Sequence, residues 1–253
     1  MTALSPSAIF AAWDRLLALF YPEICQICRQ QHATFAENYL CLACRSGHEG
    51  IQFVQAPICN CCGLPFPGDI NVSFECANCR ELELHFRHAR AAAVYTGVLK
   101  EIIHRYKYNH ASWFEPLLAN LLIEASIPEL RRDEWDWIVP IPLHWLKLRG
   151  RTFNQAARLA HRLSKATNIP VKSNLLRRIR PTQTQTRLSR AERTENVKRA
   201  FAYRAAHRID GARILLVDDV LTTGATASAC AKLLRQNGAA VVDVWTVARG
   251  ILK

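Results

Sequence analysis

Two constellations in this chain have residue types and spacings that can do chemistry. In the first, the apolar run Ile214-Leu215-Leu216-Val217 leads into the adjacent carboxylates of Asp218 and Asp219, and Thr222-Thr223-Gly224-Ala225-Thr226 follows after two residues. An apolar strand that turns into a helix presents free backbone N–H groups at the turn, which suit a phosphate. Gly224 lets the backbone approach closely, and the threonine hydroxyls can donate to phosphate oxygens. The two acids would repel that phosphate, so they must face something else; a ribose diol or a magnesium ion satisfies them. The bland alternative is an ordinary helix N-cap with two solvated acids at a strand end.

The second constellation is four cysteine pairs, each with a two-residue gap: Cys25 and Cys28, Cys41 and Cys44, Cys59 and Cys62, Cys76 and Cys79. Such a gap lets one tight turn aim two thiolates at one tetrahedral zinc. Pairing in order gives C-x2-C-x12-C-x2-C and then C-x2-C-x13-C-x2-C, while an interleaved arrangement, first pair with third, stays open because spacing does not fix connectivity. Disulfides are the alternative and would need an oxidising compartment. Cys62 completes the gap with Cys59, which leaves Cys61 a bystander; Gly63 suits a positive backbone angle in the turn around the metal. With four thiolates each, two such zinc sites leave no open position and are structural. Cys230, in a helical run of small residues, reads as a buried core thiol.

These groups need elements to position them. Nine of the ten cysteines fall between Cys25 and Cys79, so a small metal-stabilised module is expected over 23–84, ahead of a larger domain over 85–253. Trp13, Leu16, Leu17 and Phe20 recur at helical spacing and predict an amphipathic helix over 1–22 that docks on the rest of the protein. That run is too short and too charged to span a membrane, and it lacks the basic stretch of a secretory signal, which points to the cytoplasm. Beyond Leu82 the periodicity alternates. Strands are predicted at Ala89 to Tyr95, Trp137 to Pro140, Arg213 to Val217 and Ala240 to Val247. Helices are predicted through Leu99 to Tyr106 and Leu117 to Leu122, then at Asn154 to Thr167 and Ala225 to Gln236. The fold class is α/β, a mostly parallel sheet flanked by helices, preceded by the cysteine-rich module.

Two further segments fit a phosphorylated ligand. Pro140-Ile141-Pro142 ends a strand ahead of Lys147, Arg149, Gly150 and Arg151, which gathers cations where a diphosphate could be received. Arg180 to Leu188, containing Thr182, Gln185 and Thr186, is polar and nonperiodic between apolar segments and reads as a mobile loop.

The Asp218 to Thr226 stretch resembles the phosphoribosyl-diphosphate motif of type I phosphoribosyltransferases. The resemblance implies that Asp218 and Asp219, the catalytic pair, bind the ribose 2′- and 3′-hydroxyls, and that Thr222 to Thr226 hold the 5′-phosphate. It also implies that Arg149, Gly150 and Arg151 form the diphosphate loop, with magnesium, and that Thr182, Gln185 and Thr186 belong to a flexible hood. The paired cysteines, Lys107-Tyr108, Pro140-Ile141-Pro142, Arg149 to Gln155, Gln185-Thr186 with Arg193 and Asn196, and the final motif together resemble the ComF family of ComFC- and GntX-like proteins. In this chain Thr152 stands where the family pattern has glycine between arginine and phenylalanine.

Two functions follow from the resemblance: a competence protein that handles incoming single-stranded DNA together with DNA-uptake machinery, or an active phosphoribosyltransferase with an unknown nucleobase or amine acceptor. The formal charge of +12, from 33 basic and 21 acidic residues, favours anionic partners of either kind. Arg87, Arg90, Lys100, Arg105, Lys107 and Arg158 are candidate contacts to a DNA backbone, and Phe53, Phe66 and Phe74 candidate stacking faces. The nine histidines lack metal-like spacing outside the cysteine pairs.

Overall fold

The structure is a computed structural model that describes residues 23–68, 74–151, 153–180, 200–204 and 208–251. The helix predicted over 1–22 and the hood residues Thr182, Gln185 and Thr186 lie outside the described residues. Among the described residues the strands are β1 (Ala89–Val94), β2 (Trp137–Pro140), β3 (Leu176–Arg178), β4 (Phe201–Tyr203), β5 (Arg213–Leu221) and β6 (Val241–Arg249). The α-helices are α1 (Leu42–Ser46), α2 (Ala77–Glu81), α3 (Gly97–Tyr108), α4 (Glu115–Ser126), α5 (Trp145–Arg151), α6 (Gln155–Thr167) and α7 (Ala225–Gln236).

β1, β6, β5 and β2 pair in that order into one parallel sheet, while β3 and β4 form a small antiparallel ribbon. Parallel strands covered on both faces must be apolar on both, and β5 shows it. Leu215 and Val217 belong to a layer with Leu99, Ile103, Leu117, Leu121, Leu159 and Leu163 from α3, α4 and α6. Ile214 and Leu216 belong to the opposite layer, with Val242, Val244 and, from α7, Cys230, Ala231 and Leu234. Cys230 is fully buried there, as its small neighbours in sequence predict.

The predicted strands and helices of the sheet domain are all present, with two differences that bear on function. β5 runs four residues past Val217, and β6 runs on to Arg249, because the two stay paired: Asp218 opposite Thr246, Val220 opposite Ala248, Leu221 opposite Arg249. The two acids therefore sit on the strand, and side-chain alternation sends them to opposite faces of the sheet. The segment with Arg149, Gly150 and Arg151, expected as a loop, is the end of α5.

The cysteine-rich segment leans on the sheet. Gly63 has φ +63°, and a Cβ there would lie 2.6 Å from the Ala89 carbonyl oxygen, so only glycine permits this close approach to β1. Next to it, the Ala89 N–H donates to the Cys61 carbonyl at 2.7 Å.

Candidate functional site

The cysteines form two quartets, Cys25, Cys28, Cys41 and Cys44, and Cys59, Cys62, Cys76 and Cys79, so the pairs combine in order and not interleaved. Four thiolates about 2.3 Å from a tetrahedral zinc stand about 3.8 Å apart. The observed Sγ–Sγ separations fit: 3.9 Å for Cys28 and Cys41, 3.7 Å for Cys59 and Cys79, 3.6 Å for Cys62 and Cys76, and 3.6 Å for Cys76 and Cys79. All ten cysteines are free thiols, and these separations are far beyond a disulfide bond. The donor set is therefore right for zinc and closed to substrate. Cys61 stays outside its quartet, and burial pushes its thiol up to about 11.

A cleft of about 1040 Å³ opens at the carboxyl ends of the strands. Asp218, Asp219 and Thr222 to Thr226 line it together with Lys107, Lys147, Arg151 and Arg178. Asp219 is buried and receives an ion pair from Lys107, Nζ to Oδ1 at 2.8 Å. Burial opposes the Lys107 charge, but the Asp219 carboxylate outweighs it and holds the ammonium above its usual range. On the other face of the strand, burial and then the Asp219 charge push the Asp218 carboxyl up to about 7. Burial and the cations Arg178, Arg151 and Lys107 bring Lys147 down to about 8. The turn after β5 ends at Gly224, whose φ of +83° opens α7. There the Thr223 hydroxyl accepts the Ala225 N–H at 3.3 Å.

The expected site residues divide. Asp218, Asp219 and Thr222 to Thr226 share the cleft, and so does Arg151, whose guanidinium lies 4.6 Å from the Tyr108 ring centroid. Arg149 stacks over the exposed Trp145 at 4.8 Å, and Gly150 has open space where a Cβ would stand. Of the basic residues considered for DNA, Lys100 and Lys107 line the cleft. Arg87, Arg90, Arg105, Lys107 and Arg158 each have an acidic partner: Asp243, Glu129, Glu101, Asp219 and Glu115. Phe66 and Phe74 pack edge to face on each other at 4.9 Å, and both Phe53 and Phe66 are exposed. Sequence patterning does not reveal Arg178 or Arg249. Arg178 sits in a ribbon strand too short to show a period, and Arg249 follows a strand predicted to end two residues earlier.

Comparison with known proteins gives the same two parts. Residues 16–82 match the double zinc ribbon domain, and residues 153–251 match the phosphoribosyl transferase domain. Competence protein F of Haemophilus influenzae is 32% identical over 85% of this chain and 92% of its own length. DNA utilization protein YhgH of Escherichia coli K12 is 33% identical over 83% of this chain and 96% of its own. Competence protein ComFC of Bacillus subtilis is 27% identical over 84% and 85%. The fold is of the type I phosphoribosyltransferase kind, with an N-terminal double zinc ribbon.

Proposed function

Because the chain belongs to the family of competence protein F, we propose that it serves the use of incoming single-stranded DNA and binds 5-phosphoribosyl diphosphate in its cleft. The observation that carries the ligand is the meeting, at the end of β5, of two acids, a phosphate loop and a set of lysines and arginines in one cavity. Asp218 and Asp219 accept from the ribose hydroxyls, and the N–H groups and hydroxyls of Thr222 to Thr226 hold the 5′-phosphate. Lys147, Arg151 and Arg178 receive the diphosphate, with Arg149 and Gly150 at its approach. Thr182, Gln185 and Thr186 have the role of closing over it.

Magnesium would enter with the ligand. The carboxylate oxygens are the hard donors it takes, and it binds through one or two carboxylates plus substrate phosphates. When bound it neutralises the diphosphate. The cleft volume of about 1040 Å³ is at the upper end of small-molecule sites, which favours transfer of phosphoribose to a nucleobase or amine held in the same cleft as a second reading.

Calorimetry tests the site. Wild type binds phosphoribosyl diphosphate with magnesium, and Asp218→Asn/Asp219→Asn binds at least tenfold more weakly; equal binding by both, or none by either, rejects the assignment. For DNA, the exposed Tyr108 and Trp145, each stacked with an arginine, offer faces for bases. Single-stranded DNA affinity should fall as salt rises, and Trp145→Ala should cost about 1–3 kcal/mol. Affinity indifferent to salt would reject a phosphate-tracking surface. Among the described residues no helix is long and apolar enough to cross a membrane. Handling DNA after its entry would put the protein in the cytoplasm, beside the uptake machinery.

A further inference from the structure

Arg249, at the end of β6, is fully buried. Its Nε donates to the Cys62 carbonyl at 2.8 Å and its Nη2 to Cys62 Sγ at 3.1 Å. Its Nη1 reaches the carbonyls of Thr222 at 2.6 Å, Leu221 at 3.2 Å and Gly250 at 2.5 Å. One guanidinium thus ties a ligand of the second cysteine quartet to the backbone of the phosphate loop. Beside it, Asn78, between Cys76 and Cys79, donates to the Thr223 carbonyl at 3.5 Å.

Two physical consequences follow. In a trans peptide the C=O of one residue and the N–H of the next point in opposite directions. Holding the carbonyls of Leu221, Thr222 and Thr223 on the quartet side therefore turns the N–H groups of Thr222, Thr223 and Gly224 away from it, toward the cleft these residues line. The second consequence concerns charge. A buried cation needs an anion, and among the described residues Arg249 has no carboxylate partner. A zinc with four thiolates is a net anion by formal count, and it supplies the counter-charge this guanidinium requires.

We propose that the second zinc centre is the support of the phosphate loop and that Arg249 is the positioning residue that couples them, so metal occupancy at Cys59, Cys62, Cys76 and Cys79 sets 5′-phosphate affinity. The inference rests on the ligand reading above for its affinity readout alone. The first quartet packs with the α3 and α4 layer, on the other side of the sheet from α7, and serves as the internal comparison.

The coupling is tested on the full chain loaded with zinc. The amides of Ser228 and Gly250 report on the loop, because they donate to the carbonyls of Gly224 and Leu221 at 2.8 Å each. Their hydrogen exchange is measured in wild type, Arg249→Met, Arg249→Lys and Cys76→Ser, with zinc content determined for each. Arg249→Met should keep two zincs yet exchange at these amides at least tenfold faster, Arg249→Lys should recover part of the protection, and Cys76→Ser should lose one zinc with the same loosening. Protection in Arg249→Met equal to wild type overturns the proposal. Should Cys76→Ser fail to fold, the zinc affinity of wild type, measured by equilibrium competition with a chelator, gives the reciprocal measurement. Phosphoribosyl diphosphate with magnesium should tighten one of the two zinc sites at least fivefold, and Arg249→Met should abolish the tightening; equal tightening in both proteins overturns the coupling. If wild type binds no phosphoribosyl diphosphate, the ligand reading fails while the exchange experiment still decides the coupling.

Discussion

Asp218 gives the protein a pH dependence of its own. The Asp218 carboxyl, raised to about 7 by burial and its neighbour, is neutral in mildly acidic solution. Its folded value lies above the unfolded one, so its contribution to stability is full below the ordinary carboxylate range and is lost as pH rises through about 7. Thermal unfolding should accordingly show wild type losing stability across that window, and Asp218→Asn losing less and gaining about 1–2 kcal/mol at its alkaline end. In the proposed binding mode ligand affinity should move the other way, because ribose hydroxyls donate best to an ionised carboxylate. Asp219 is already paired with Lys107. Lys107→Met should cost about 3–5 kcal/mol in urea unfolding by leaving a buried charge alone, and adding Asp219→Asn should restore much of it. A purely additive double variant would contradict the pairing.

At the scale of elements, the turn at Gly224 is the point of least tolerance. Its φ of +83° disfavours any side chain, and a Cβ would touch the Phe86 ring at 3.4 Å. Gly224→Ala should cost about 1–2 kcal/mol, read in denaturant unfolding. Wild-type stability in that variant would mean the turn relaxes freely. The strand-to-helix unit around this turn was legible from Ile214 to Gln236 because apolar run, turn residues and helical period agree there. The extension of β5 through the acids was not, since pairing with β6 sets it and Asp-Asp has low strand preference. Nor were the partners of Lys107 and Arg249, which come from distant segments that no local period joins. The cysteine spacing announced the metal sites, but only the fold decided which pairs meet.

For the molecule as a whole, the zinc sites predict two equivalents of metal per chain. Chelation should unfold the quartets and lower the unfolding temperature, because so small a segment buries too little apolar surface alone. Metal analysis giving fewer than two equivalents in freshly purified protein, with undiminished stability, would contradict the assignment.

The sheet order has a consequence for how the protein is made. β6 lies between β1 and β5, yet it is the last of these strands to leave the ribosome. Until then β1 and β5 have no common neighbour, and their edges are open templates for other chains. Synthesis from the amino end therefore yields the metal segment early and the sheet late. A nascent chain stalled before Val241 would have its cysteines arranged but its central strand missing, and would be a substrate for chaperones.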